Sequence, residues 1–195
     1  MQPVPGPTRN AGVVIPLRAF ASGKARLAAV LNDQERTELA TMMANRVVAA
    51  AGVLPIVIVS SAPEVHTWAA AHELDVVDDP GNGLDGAVVV GTSHLRDRGF
   101  TRLIVAHADL PRARPGALER FAVAEPDVVT IVPCHRDDGT PVLSVPADPA
   151  FPFSYGIGSA RRHEALARQL GLAVRIVRDP ELGYDIDLPE DLLNR

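Results

Sequence analysis

Residues 12–60 read GVVIPLRAFASGKARLAAVLNDQERTELATMMANRVVAAAGVLPIVIVS. Two short apolar runs, Gly12–Leu17 and Pro55–Ser60, enclose a stretch with Leu39, Met42, Met43, Val47 and Ala50 at spacings of three and four. The runs predict buried strands, and the spacing predicts a helix over Asp33–Ala51. Strands that are apolar throughout, rather than at every second residue, are covered on both faces. That pattern predicts an α/β protein with a mostly parallel sheet.

The alternation continues along the chain. Further strands are expected at Leu74–Val77, Arg102–Ala106, Asp127–Val132, Pro141–Val145 and Ala173–Val177. Helices are expected through Ala71, after a capping box of Ser61 and Glu64, then over Leu84–Leu95, Pro115–Val123 and Ser159–Leu170. A short helix should follow Pro189. Pro146–Gly158 is the longest irregular stretch, and a loop of that length in a compact domain usually carries function.

A length of 195 residues suits one domain with its own core. The proline-rich Met1–Asn10 lacks a signal-peptide layout and reads as a frayed, flexible tail before a domain spanning 11–195. The apolar run Val47–Val59 is broken by Gly52 and Pro55, so no membrane span is expected. One cysteine, Cys134, allows no internal disulfide and fits a cytoplasmic setting. A net charge of −5 argues against nucleic acid as a partner. Lys24 is the only lysine among 19 basic residues, a bias typical of GC-rich coding.

In open α/β sheets, ligands sit beyond the carboxyl ends of the strands, so residues there are the candidates. Arg18, Lys24 and Arg26 follow the first strand and could clamp a polyphosphate, or simply form a solvated basic loop. Their spacing is not that of a Walker A loop. His107-Ala108-Asp109-Leu110-Pro111 follows Arg102–Ala106, and Asp109 could ligate Mg²⁺ or merely turn the chain before Pro111. Asp185-Ile186-Asp187 places two carboxylates on one face if extended, which calls for a cation between them. Capping of the helix at Pro189 would explain Asp187 alone. Tyr155-Gly156-Ile157-Gly158-Ser159 opens a helix and could hold an anion on its first N–H groups, or be a plain cap. Gly83-Leu84-Asp85 could touch ribose or phosphate, and Gly139-Thr140 could offer a hydroxyl to a substrate. Cys134 beside His135 has no second cysteine to build a zinc site; His66, His72 and His163 read as surface or boundary residues.

In this order and spacing, these motifs resemble the guanylyltransferases of coenzyme F-420 biosynthesis, over about Val13–Leu192. The motifs are Pro16-Leu17-Arg18, Lys24-Ala25-Arg26-Leu27, Gly83-Leu84-Asp85, Ala108-Asp109-Leu110-Pro111, Gly139-Thr140, Gly156-Ile157-Gly158-Ser159 and Asp185-Ile186-Asp187-Leu188-Pro189. The resemblance implies a single-domain, three-layer αβα nucleotidyltransferase fold, Rossmann-like and GT-A-like. It implies that Asp109, Asp185 and Asp187 hold two Mg²⁺ ions and that Arg18, Lys24, Arg26, Gly83 and Asp85 meet GTP. It also implies that Thr140, Gly156 and Ser159 hold a small phosphorylated three-carbon acid. Members similar to this chain from GC-rich actinobacteria use phosphoenolpyruvate; related enzymes use 2-phospho-L-lactate or 3-phospho-D-glycerate. A downstream transferase of the same pathway would receive the product. Departures are Arg18 for Lys, Asp85 for Asn, and Pro141 where relatives usually have Asn. Two rival readings are nucleotide transfer to a sugar phosphate or cofactor precursor, and a GTP-binding relative without turnover.

Overall fold

The computed structural model describes residues 10–20, 24–123, 125–136 and 138–194. Residues 1–9 of the expected tail and 21–23 of the first basic loop lie outside them. Seven strands form one sheet: β1 (Ala11–Pro16), β2 (Ile56–Val59), β3 (Asp75–Val77), β4 (Arg102–Ala106), β5 (Val128–Val132), β6 (Val142–Pro146) and β7 (Ala173–Ile176). Their order across the sheet is β3-β2-β1-β4-β6-β5-β7. Every pairing is parallel except those of β6, which runs antiparallel to both β4 and β5.

Four helices cover the sheet: α1 (Asp33–Ala51), α2 (Pro63–Ala71), α3 (Leu84–Asp97) and α4 (Ser159–Gln169). Residues of α1 and α2 share one core with Val13, Ile15, Ile58 and Ile104. Residues of α3 and α4 share the other with Val14, Val57, Leu103 and Val105. Alternate residues of β1, β2 and β4 thus enter opposite apolar layers. This is why the strands are apolar at successive positions, and it makes the fold three-layered as expected.

Local chemistry corrects two expected elements. The capping box is not at Ser61 and Glu64: α2 begins at Pro63 without a side-chain cap, its first turn preset by the proline. Ser61 donates instead to the Asp79 carbonyl at 2.9 Å. The box is at α1, where Asn32 and Glu35 cap each other's backbone N–H. The helix expected over Pro115–Val123 is only a 3₁₀ turn, Glu119–Phe121. Its backbone bonds outward: the Gly116 and Leu118 N–H groups donate to the Ala49 and Ala50 carbonyls at the end of α1, at 3.0 and 2.9 Å. These bonds use carbonyls a helix end leaves open, and the left-handed Gly116 breaks the helical path. The segment after Pro189 is likewise 3₁₀ rather than α.

Helix α3 approaches the sheet at Gly91, where a Cβ would lie 2.5 Å from Val14 Cγ1 and 2.8 Å from Val59 Cγ2. Gly91→Ala is therefore expected to lower stability by about 1–3 kcal/mol through overpacking. Thermal unfolding checks this.

Candidate active site

The carboxyl ends of β1–β4 open onto a cavity of about 460 Å³. Its lining includes Arg18, Lys24 and Arg26 from the loop after β1, His107 and Asp109 after β4, and Asp187 from the C-terminal segment. Lys24 joins these pieces. Its Nζ donates to Asp109 Oδ2 at 2.5 Å and to Asp187 Oδ1 at 3.1 Å. Its backbone is left-handed, with φ 59°. That conformation costs a non-glycine residue roughly 1–2 kcal/mol, so the ion pairs and the Leu27 N–H bond to its carbonyl must hold it there.

The carboxylates are in unequal states. Burial pushes the Asp109 carboxyl up, but the Lys24 ammonium, helped by His107, outweighs it and leaves the group below the usual carboxylate range. Burial, then repulsion from Asp109 and Asp187, raises the Asp185 carboxyl. The Lys24 ammonium is held above its ordinary value, because the two aspartates outweigh its burial. Asp109 Oδ1 and Asp185 Oδ1 are buried without a hydrogen bond, although Asp185 Oδ1 lies 3.2 Å from His135 Nδ1. Two orphaned carboxylate oxygens beside a third carboxylate form a hard, oxygen-rich donor set that fits a divalent cation. The set is not closed: among the described residues, no three acidic, histidine or cysteine side chains are grouped to hold a metal. Lys24 bridges two of the aspartates.

A rigid support carries Asp185 and Asp187. Ile186 is buried with Leu27, Leu39 and Met43, which turns the flanking carboxylates away from that cluster. Gly183 lets the chain cross the end of β5, since a Cβ there would lie 2.8 Å from the Pro133 carbonyl oxygen. The Tyr184 ring stacks on His135 and carries the Arg112 guanidinium 3.7 Å from its centroid. Asp191, 3% exposed, accepts the N–H groups of both Asp187 and Leu188 at 2.8 Å and pairs with Arg136. The cap at this turn is therefore Asp191 reaching back. Burial raises its carboxyl, but those two N–H groups and Arg136 outweigh that and hold it low.

Thr140 and Ser159 come together elsewhere. Both are buried, with their hydroxyl oxygens 2.9 Å apart, and Thr140 also bonds His163 Nδ1 at 3.0 Å. His163 Nε2 accepts the Ser154 N–H, so Nδ1 carries the proton and donates to Thr140. Far from being a surface residue, His163 is 0% exposed. Burial, then Arg162 and His107, pushes its imidazole down to about 4. Gly156 is exposed, and Arg162 holds the turn around it through the carbonyls of Ser154, Tyr155 and Ile157. The Gly158 N–H is already taken by Asp138 Oδ1 at 2.6 Å. Ser159 is the first residue of α4, and the left-handed Gly158 precedes it as the cap.

Gly83 lines the cavity, whereas the Asp85 carboxylate accepts the Tyr155 N–H at 2.7 Å. Asp85 thus ties the start of α3 to the 147–158 loop. The Tyr155 ring lies between His107 and His163, with centroid distances of 5.4 and 4.8 Å, and so links the two clusters. Sequence reading missed Asp191, Arg136, Arg162 and the His135–Tyr184 stack. Only Asp191 left a trace, as an acid two residues beyond Pro189 where a capping partner could sit. Cys134 is structural: its Sγ accepts the Gly139 N–H.

Comparison with known proteins gives concordant matches. The family model described as guanylyl transferase CofC like matches residues 11–194. A phosphoenolpyruvate guanylyltransferase of Conexibacter woesei is 33% identical over 188 residues, covering 92% of this chain and 84% of that protein. One of Sphaerobacter thermophilus is 33% identical over 184 residues, covering 92% and 89%. Among solved structures, 4-diphosphocytidyl-2C-methyl-D-erythritol synthase from Anaerococcus prevotii superposes with a TM-score of 0.62 at 11% identity, covering 95% of this chain and 94% of that one. A CMP:2-keto-3-deoxy-manno-octonic acid synthetase complexed with CTP gives 0.59 at 14% identity, covering 94% and 95%. These two share the fold.

Two outcomes follow from the site's supports. Asp191→Ala leaves two N–H groups and Arg136 without their acceptor and should cost about 1–3 kcal/mol by urea denaturation. Asp191→Asn, which keeps one acceptor oxygen, should cost less. His163 binds its proton near pH 6.5 when unfolded and only near 4 when folded. Between those values the unfolded chain holds more protons, so stability present above pH 6.5 is lost as pH falls towards 4. The loss attributable to this group is on the order of 3 kcal/mol. Unfolding free energies of wild type and His163→Gln should therefore converge as pH falls through that window.

Proposed function

The chain belongs to the CofC-like guanylyltransferases, and from that membership we propose that it transfers GMP from GTP to phosphoenolpyruvate, releasing pyrophosphate. The observation that carries this reading is the meeting of Lys24, Asp109 and Asp187 at one end of a cavity also lined by Arg18, Arg26 and Gly83. A phosphate oxygen of the acceptor attacks the α-phosphorus of GTP in line. The bond from that phosphorus to the α,β-bridging oxygen breaks, and pyrophosphate leaves with the electron pair. The acceptor phosphate is ionised at neutral pH, so no general base is needed. What the protein must supply is alignment and charge neutralisation.

Asp109, Asp185 and Asp187 would hold Mg²⁺, as two ions, and bound Mg²⁺ would offset the charge of the attacking and leaving oxygens. Holding it requires Lys24 to give up its bridge, which frees the ammonium for the phosphates. Arg18 and Arg26, also on the cavity wall, would bind the same polyphosphate. The acceptor would sit at the Gly156–Ser159 corner, where exposed glycine backbone leaves room and the buried Thr140–Ser159–His163 chain fixes the corner from beneath. The pathway reading is coenzyme F-420 biosynthesis, with a downstream transferase taking a labile product.

The test is pyrophosphate release from GTP and Mg²⁺ with phosphoenolpyruvate, 2-phospho-L-lactate and 3-phospho-D-glycerate in turn, with the product identified by mass spectrometry. Release with phosphoenolpyruvate alone is expected. Asp109→Asn should lose at least about 100-fold in kcat, on the scale of one electrostatic catalytic group, while remaining folded by circular dichroism. Wild-type turnover in that variant would remove Asp109 from the metal site. No release with any of the three acids would remove the acceptor assignment.

A further inference from the structure

We infer that Asp79 reads the guanine base, an inference that rests on the guanylyltransferase reading above. Asp79 follows β3 and lines the same cavity as Lys24 and Asp109. Strands β3, β2, β1 and β4 are consecutive neighbours, so the ends of β3 and β4 are three strand spacings apart, about 14 Å. Lys24 and the aspartates fix the phosphate end beside β4. A nucleotide extended along the cavity then carries its base towards β3, where Asp79 stands.

The end near β3 suits a flat ring. Gly83 and Leu84 form part of the wall, and a Cβ built on Gly83 would have no neighbour within 4 Å. Asp79 is also fixed in orientation. Its Oδ1 accepts the Gly81 N–H at 2.9 Å, and its carbonyl accepts the Ser61 hydroxyl. Its Oδ2 has no hydrogen bond among the described residues. Asp109 and Asp187 at the phosphate end are paired with the Lys24 ammonium, whereas a carboxylate without such a cation would repel a phosphate. At the base end it meets guanine, which presents N1–H and N2–H donors side by side. At the matching positions adenine presents the N1 acceptor and a C2–H, so it cannot make this pair of bonds to a carboxylate.

The experiment measures equilibrium binding of GTP, ITP and ATP by calorimetry to wild type, Asp79→Asn and Asp79→Ala, without any acceptor acid. ITP lacks only the 2-amino group of guanine. Wild type should prefer GTP over ITP by about 10-fold, the scale of one hydrogen bond to a charged acceptor. Both variants should weaken GTP more than ITP and bring the ratio near one. Asp79→Asn keeps an acceptor for Gly81, so a role confined to that turn would leave the ratio unchanged. An unchanged ratio, or equal binding of GTP and ATP by wild type, overturns the assignment. Because no acceptor is present, a wrong acceptor cannot produce that result. Absence of GTP binding by wild type would instead overturn the functional reading on which the inference rests.

Discussion

The Lys24 ammonium is the interaction on which the site depends. Asp109 lies 85 residues from it in sequence and Asp187 lies 163 residues away, and its charge draws both to one place. Without it, three acids would share a partly buried crevice. The Asp185 carboxyl is already raised, first by burial and then by repulsion from Asp109 and Asp187. Lys24 relieves the repulsion from a backbone conformation that only a strong partner would hold. The charge that assembles the crevice is also the charge that a bound cation would make redundant there.

The layers behind the site explain how a modest chain fixes it. The inner strands are buried on both faces, and a one-residue slip in register would move every side chain of a strand into the opposite apolar layer. The carboxyl edge is therefore a firm base for loops. Asp191, Arg136 and the stacked His135 and Tyr184 extend that firmness into the irregular C-terminal segment. Asp85 does the same for the 147–158 loop through the Tyr155 N–H. The Asp85 carboxylate supplies the acceptor for that bond.

Strands and most helices were legible because burial on two faces writes itself as runs of Val, Ile and Leu, and one-sided burial as helical spacing. The 115–123 segment misled because its apolar residues do pack inward, at Leu118 and Phe121, while its N–H groups turn to the end of α1. Periodicity reports where side chains go and is blind to where the backbone bonds. At the site, Lys24, Asp109 and Asp187 could be singled out by position after strands and by family pattern. The convergence of Asp191 on the Asp187 N–H could not, because it depends on a tight turn with no periodic signature. His163 misled in the opposite sense: an imidazole in a helical pattern reads as surface until two polar partners from other segments, the Ser154 N–H and the Thr140 hydroxyl, meet it.

The reversed direction of β6 has a consequence for chain routing. A parallel strand delivers its following loop to the carboxyl edge of the sheet; β6 delivers its preceding one, so Gly139-Thr140 arrives there directly from β5. The chain then leaves β6 at the opposite edge, where the Ala147 N–H bonds Thr101 beside the start of β4. A five-residue strand spans about 17 Å, and the 147–158 segment must climb that height over the sheet face before α4 can begin at the active edge. Phe151, Phe153 and Tyr155 are its footholds on that climb, packed on or into the core of α3 and α4. The long irregular stretch is thus a return path imposed by one reversed strand. Its length is set by the height of the sheet, and a deletion within it would be felt at the far end, where Tyr155 meets His107.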